Sequence, residues 1–590
     1  MQNPASFYKT QLGRHQAASK KIFKKLSLLS VLRLAVFLLT ALGIYISFEN
    51  WRIAAAIAVV GIVGFLYLLS VYTDLKAKRN LHKRLIAINN EEIEIAKGQF
   101  HERPDGETFQ DPSHFFSLDI DLFGKGSFFQ YSNRTALKEG TEKFSKMLLS
   151  NNTEGITDRQ EAIKELAALP AWRQNYEAVA QGVQIEHSAA SIISWLKAYQ
   201  PFLGKTQYIL TLLYAVASVV LIGLGVAEII PISIAGYWLL LGLGITGRYL
   251  KQINNLSQHT ERAKDTFKQY ALLLKAIEST SFKAPLLTEK QKLIQSEALK
   301  ASAIFSKFSK TLDALENRNN LISAVFGNGF LLVDIRNSYH VEQWIAKYGH
   351  KVDDWFEVVT FFDALNSFGN YAFNHQSFTY PIITDQPVTI KADGLGHPLL
   401  NAEKRVNSDL TLEEEQFFIV TGANMAGKST FLRTVALHIV MANVGLPICA
   451  KQSKYKPIKL ITSMRTTDSL TDDSSYFFSE LTRLKFVVDT IAKDKNYFVI
   501  LDEILKGTNS TDKAIGSRKF VEKLVKQNAT GIIATHDLSL TEIENELTAV
   551  KNYYFDAEII NDELFFDYKL KQGVCQNMNA SFLLKKMEII

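Results

Sequence analysis

Two long apolar runs near the start of the chain, separated by four residues, restrict its fold more than any other feature. The first runs from about Leu26 to Phe48 with one charge, Arg33, near its start; the second runs from about Ile53 to Tyr72 and carries no charge. Each approaches the ~20 residues that a helix needs to cross about 30 Å of hydrocarbon. Only Glu49, Asn50, Trp51 and Arg52 lie between them, so the pair reads as a helical hairpin. Arg33 can reach the headgroups from a helix end. A signal peptide fits less well, because its apolar region would be shorter, nearer the start and followed by a small-residue cleavage site. Lys20, Lys21, Lys24 and Lys25 precede the hairpin, and Lys76, Lys78, Arg79, Lys83 and Arg84 follow it. The positive-inside rule therefore puts both flanks, and with them the termini, on the cytoplasmic side of a cytoplasmic membrane. The same lysines suit anionic lipid headgroups.

A second hairpin is expected in mid-chain. Tyr208–Ala227 is apolar, Glu228 sits near a turn, and Pro231–Gly247 is apolar again, with Lys205 before and Arg248 and Lys251 after. A buried hairpin in a soluble core is the competing reading, since the second limb is short and rich in glycine. Composition agrees with a soluble protein that carries a few spans: 590 residues, 47% hydrophobic, 21% charged. The net charge of +6 lies largely in the two basic clusters and says little about nucleic acid. With only Cys449 and Cys575, no disulfide framework is possible, and the histidines form no H-x-x-x-H or H-E-x-x-H pattern for a catalytic zinc.

The remaining segments up to about residue 378 show apolar positions at three- and four-residue spacing and read as a helical scaffold. From Tyr380 the pattern changes to short β-rich runs and turns. The expected organisation is a basic segment (1–25), a transmembrane hairpin (26–74), a cytosolic helical region (75–206), a second hairpin (207–248), a helical lever region (249–378) and an α/β domain (379–590).

The α/β domain carries the chemistry. Glu415–Thr421 reads as a strand, Gly422-Ala-Asn-Met-Ala-Gly-Lys-Ser429 follows at once, and Thr430–Met441 reads as a helix. This is the phosphate-loop pattern in its strand–loop–helix setting. The glycines let backbone N–H groups converge on phosphate oxygens, and the helix N-terminus adds partial positive charge. Lys428 supplies a point charge for the β- and γ-phosphates of ATP, and the Ser429 hydroxyl suits Mg²⁺. Asn496–Leu501 reads as a buried strand that ends in Asp502-Glu503, so both carboxylates fall at the ligand edge of a parallel sheet. Asp502 is expected to hold Mg²⁺ and Glu503 to orient and deprotonate the attacking water. Gly531–Thr535 reads as a third strand, ending in His536, which can sense the γ-phosphate or polarise the water.

These residues resemble the nucleotide-binding domain of the DNA mismatch repair MutS family. Thr421-Gly-Ala-Asn-Met-Ala-Gly-Lys-Ser-Thr430 is similar to the family's phosphate loop, with Asn424-Met425 as its distinguishing pair; Ala423 and Ala426 stand where the family usually has Pro and Gly. Leu501-Asp-Glu-Ile-Leu-Lys-Gly-Thr-Asn-Ser510, Ala534-Thr-His-Asp537 and Gly396-His397-Pro398 resemble its acidic strand, its histidine motif and the element near the adenine. The match weakens upstream, where Leu118–Ser127, Asn133–Thr135 and Asp363–Ser367 resemble the helical core. The fold implied is an ABC-type P-loop ATPase domain behind an all-α core and lever region with two transmembrane hairpins. The nucleotide-binding set is then Gly422, Asn424, Gly427, Lys428, Ser429 and Thr430. The resemblance also implies a dimer with ATP sites completed in trans by the loop Asp472–Glu480, where Ser475 matches the serine that faces the partner's γ-phosphate and Tyr476 departs from a usual small hydroxyl residue.

One family feature has no counterpart here, the N-terminal mismatch-reading domain with its Phe-x-Glu wedge; apolar runs stand in its place. The second hairpin falls about where the family's levers carry the DNA clamp. Two readings follow: a membrane-anchored ATPase that binds mismatched or damaged DNA, as the resemblance implies, or a DNA-independent mechanochemical switch in which ATP-driven dimer closure moves levers ending in the bilayer. A transporter subunit is a weaker third reading, because the spans contain almost no polar residues.

Overall fold

The first two helices show how the sequence builds the N-terminal end. The computed structural model describes residues 3–182, 189–295, 299–316, 318, 320–423, 425–465, 476–560 and 563–576. Asn3 caps the helix Pro4–Ile46 by accepting from the Ser6 amide at 3.2 Å, and Pro4 occupies the first turn, where its missing N–H is not needed. The helix runs unbroken through the first apolar run as far as Ile46. After a short turn, Asn50 caps the helix Trp51–Ala96, which returns antiparallel to the first. The limbs touch closely at Gly61, where a Cβ would lie 2.2 Å from Thr40 Oγ1. Outward apolar side chains such as Leu39, Val60 and Tyr67 stay exposed.

Among the described residues, three helices are long and apolar enough to cross a membrane by length and composition: Pro4–Ile46, Trp51–Ala96 and Lys205–Val226. The last is the first limb of the mid-chain hairpin. The expected second limb, Pro231–Gly247, is not among them. It opens the 46-residue helix Ser233–Glu278, but Tyr237, Trp238 and Gly236, Gly242, Gly244 and Gly247 dilute its apolar character before Arg248 ends it.

Below both hairpins the chain is mostly helical, and the helix Val352–Asn374 is its axis, buried over nearly its whole length. A polar cluster ties the first hairpin to this axis. The Glu92 carboxylate, fully enclosed, pairs with the Arg134 guanidinium and accepts from Asn370 Nδ2 at 2.8 Å and Asn374 Nδ2 at 3.0 Å. Tyr8, from the first helix, donates to Asn374 at 2.7 Å. Burial alone would raise the Glu92 carboxyl; the Arg134 charge and the hydrogen bonds outweigh it and hold the group below its ordinary value.

Two mixed sheets follow toward the C-terminus. The larger has six strands in the order Leu570–Gln572, Val550–Phe555, Phe417–Gly422, Thr530–Ala534, Tyr497–Asp502 and Lys459–Ser463; only the first of these is antiparallel to its neighbour. The smaller has the order Ile382–Ile383, Gln452–Tyr455, Val388–Leu395 and Ser408–Glu413. The edge strand Lys459–Ser463 docks on the helical part. The Thr462 amide donates to Phe115 O at 2.9 Å, and Asp119 accepts from the Thr462 hydroxyl and, at 2.9 Å, from the Arg465 amide. Asp121 pairs with Arg465 at 2.6 Å and Arg433 at 2.9 Å. One hydrophobic core runs from Phe7 through the axis helix to Phe555.

Removing one member of a buried ion pair leaves an uncompensated charge, at a cost of about 3–5 kcal/mol. Glu92→Leu, which strands Arg134, is expected to lower stability by about that amount, read as a fall in the thermal midpoint of the full chain in lipid nanodiscs; an unchanged midpoint would remove this cluster from the account of the fold.

Candidate functional site

The central strand Phe417–Gly422 is buried at every position, as a β-branched and aromatic run between two parallel neighbours requires. Its last residue, Gly422, has φ +146°, and a Cβ there would lie 2.6 Å from Phe555 O, so the backbone turns away from the sheet only because no side chain intervenes. Gly427 closes the loop at φ +102° and caps the helix Lys428–Val444, which begins two residues before the sequence pattern indicates.

Parallel register brings the other candidates to the same edge. Val420 and Asp502 both stand beside Ala534, so Asp502, Glu503 and His536 emerge next to the loop. Ser429 Oγ donates to Asp502 Oδ2 at 2.8 Å. Glu503 Oε1 lies 2.9 Å from His536 Nε2, and Lys428 Nζ lies 3.1 Å from the same nitrogen. One imidazole nitrogen cannot donate to the carboxylate and accept from the ammonium at once. Lys428 also donates to Gly422 O at 2.8 Å and Ala423 O at 3.0 Å, and when Nε2 carries the imidazole hydrogen it donates to Glu503. That hydrogen bond, helped by the Lys506 ammonium 3.7 Å away, holds the Glu503 carboxyl down to about 2. Burial pushes the Asp502 carboxyl up and the Lys428 ammonium down from their ordinary values.

The structure thus gathers Lys428, Ser429, Asp502, Glu503 and His536 at one edge, with Thr430 in the first turn of the helix and Gly422 and Gly427 at the two ends of the loop. Asn424 and Ser475 lie outside the described residues, as does the first part of the loop Asp472–Glu480. Its last residue, Glu480, is buried and accepts from the Leu505 amide at 2.6 Å and the Lys506 amide at 3.1 Å. It thereby holds the turn after the acidic pair, in which Glu503 and Leu505 both adopt positive φ. Beside the loop a cleft is lined by Gly396, His397, Met425, Gly427, Thr430 and Tyr568. Sequence reasoning missed Tyr568, Lys506 and the role of Glu480. Tyr568 lies far along the chain in a turn with no pattern, and nothing local marks the partners of the other two.

A carboxyl held low contributes stability that is present above its ordinary range and is lost as pH falls through its folded value. The His536 hydrogen bond is the largest cause, so wild type is expected to exceed His536→Ala in thermal midpoint at about pH 5, with the difference closing as pH falls toward about 2. A difference that persists unchanged through that range would show that Glu503 is not the group His536 holds.

The sequence of this sheet and its loops has known counterparts. The family described as MutS domain V matches residues 418–586. The DNA mismatch repair protein MutS of Acetivibrio thermocellus is 31% identical over 255 residues, covering 42% of this chain and 28% of that protein. Human MutS protein homolog 4 is 31% identical over 245 residues, covering 40% and 25%. The DNA mismatch repair protein MutS of Protochlamydia amoebophila is 28% identical over 294 residues, covering 48% and 32%. The chain therefore spans between about a quarter and a third of the length of these relatives. The phosphate loop, the acidic strand and the histidine strand all lie inside the segment that is similar to MutS domain V.

Proposed function

We propose that this chain is a membrane-anchored ATPase of MutS type, with a P-loop ATPase fold at residues 379–590, that binds mismatched or damaged DNA. The observation that carries the ATPase reading is the meeting of Lys428, Ser429, Asp502, Glu503 and His536 at one sheet edge. Lys428 is free to exchange its two loop carbonyls for phosphate oxygens. Ser429 Oγ and Asp502 Oδ2 already face one another at 2.8 Å, an all-oxygen pair that fits Mg²⁺. When bound, that ion would draw charge off the phosphate oxygens. Glu503 is ionised, so it can accept a proton from water, and His536 fixes the direction of its carboxylate. The DNA reading is supported by the names of the relatives, which are mismatch repair proteins.

The second reading, a membrane switch without DNA, is favoured by one feature: the helix Ser233–Glu278 runs unbroken from its apolar start into the buried core. In either reading the working unit is a homodimer with ATP sites completed by the partner's Ser475 loop, anchored in a cytoplasmic membrane by the apolar helices and their basic flanks.

Lys428→Ala is expected to abolish ATP binding. Glu503→Gln is expected to keep binding, block turnover and accumulate an ATP-bound dimer; normal hydrolysis by this variant would show that another group is the base. DNA is tested by the ATPase rate in lipid nanodiscs with no DNA, paired duplex and mismatched duplex at low and physiological salt, because nonspecific phosphate contacts weaken steeply with salt. A response to mismatched duplex that survives physiological salt supports the DNA reading; indifference to all DNA overturns it in favour of the switch.

A further inference from the structure

The segment Leu321–Leu332 reads Leu-Ile-Ser-Ala-Val-Phe-Gly-Asn-Gly-Phe-Leu-Leu and contains no charge. It leaves the helical scaffold as a separate excursion whose two ends are clamped together: Arg318 Nε lies 3.1 Å from Asp334 Oδ2, and both side chains are largely buried. Within it, Ser323–Gly327 form a π-helical turn and Asn328–Leu331 a turn of α-helix. Leu332, at φ +47°, then reverses the chain into the helix Val333–Tyr348.

The excursion packs on the mid-chain hairpin rather than on the core. A Cβ on Gly242 would lie 2.1 Å from Gly329 O, and one on Gly329 would lie 2.6 Å from Leu239 Cγ, so the two backbones touch there. The Tyr214 hydroxyl reaches both Gly329 O, at 3.0 Å, and Trp238 O, at 2.6 Å. The Tyr214 and Trp238 rings stack at 4.7 Å, and Trp238 Nε1 donates to Ser218 Oγ at 2.8 Å. Tyr214 lies nine residues beyond Lys205, and Trp238 ten residues before Arg248. At about 1.5 Å per residue, both places are about 14–15 Å from the charged flank, near the middle of a hydrocarbon layer about 30 Å thick.

The other side of the excursion has no protein cover among the described residues. Leu321, Ile322 and Phe326 are 77%, 69% and 54% exposed, and on the hairpin Leu213 and Val216 are exposed as well. Twelve residues are too few to span a bilayer but enough to enter and leave from one side. Irregular backbone at such depth is tolerated where neighbouring protein satisfies it, and here the Asn328 side chain accepts from the Asp334 amide at 2.9 Å while Tyr214 covers the Gly329 carbonyl.

We propose that Leu321–Leu332 is a re-entrant membrane element that enters the bilayer from the cytoplasmic side against the mid-chain hairpin, so that the lever helices meet the membrane as a three-part tip. The bilayer is its occupant because the segment carries no charge, leaves Leu321, Ile322 and Phe326 bare, and touches the apolar hairpin at Gly242 and Tyr214. The proposal rests on the reading that the hairpin itself lies in a membrane.

The test is nitroxide labelling of the full chain in lipid nanodiscs, with Cys449 and Cys575 replaced by alanine and single cysteines placed at Phe326, Ile322, Val216 or Lys519. Relaxation by dissolved oxygen, which concentrates in hydrocarbon, is compared with relaxation by a water-soluble nickel chelate. Labels at Phe326, Ile322 and Val216 are expected to favour oxygen, and the label at Lys519 to favour nickel. If Val216 favours oxygen while Phe326 and Ile322 behave as Lys519 does, the re-entrant element is overturned and the hairpin reading stands. If all behave as Lys519 does, both fall.

Discussion

The buried Glu92 carboxylate is the interaction on which the arrangement of the molecule depends. Its oxygens are shared among Arg134, Asn370 and Asn374, and Tyr8 closes the cluster from the first helix. Four separate stretches of chain therefore have to be in register before any of these polar groups is satisfied. Enclosed charge is costly unless paired and hydrogen-bonded, so the cluster rewards one packing and penalises its neighbours. The first apolar hairpin is in this way fixed to the axis helix by polar groups, where apolar contact alone would allow it to slide.

From that axis the constraint passes to the sheet. Asp363, enclosed on the same helix, accepts from the Ala136 and Leu137 amides at 3.1 Å and 3.0 Å, and burial pushes its carboxyl up to about 7. Gly140 follows closely because a Cβ there would strike the Asp363 carboxylate. A little upstream, Asp119 and Asp121 grip the edge strand and Arg433 of the phosphate-loop helix. The helical part and the candidate site are thus joined by directed polar contacts at both ends of one short stretch of chain.

Much of the site was legible because its signals are local. A glycine-framed loop between a buried strand and a helix, and acidic and histidine residues at strand ends, each declare themselves within about ten residues. Parallel strands then align their C-terminal ends, which is enough to expect Lys428, Asp502, Glu503 and His536 together. What was not legible depends on contacts between distant stretches. Nothing near Glu480 shows that it holds the Leu505 turn, and nothing near Tyr568 places it beside Gly427. The apolar helices show the same division. Two long apolar runs near the N-terminus, with Arg33 the one charge inside them, are enough to expect the first helical hairpin. The limb opening Ser233–Glu278 is diluted by glycines and aromatic residues, of which Gly242 and Trp238 meet Gly329 and Tyr214, and the segment at Leu321 reads in sequence as one more stretch of helical scaffold.

The helix Ser233–Glu278 has a mechanical consequence. Its 46 residues carry no proline. At about 1.5 Å per residue it is a rod about 69 Å long, so a tilt of about 5° at the buried end sweeps the other end through an arc of about 6 Å. A side-chain rearrangement too small to disturb the core is therefore geared up along the rod, and whatever surrounds its far end experiences a displacement comparable to a full helical turn.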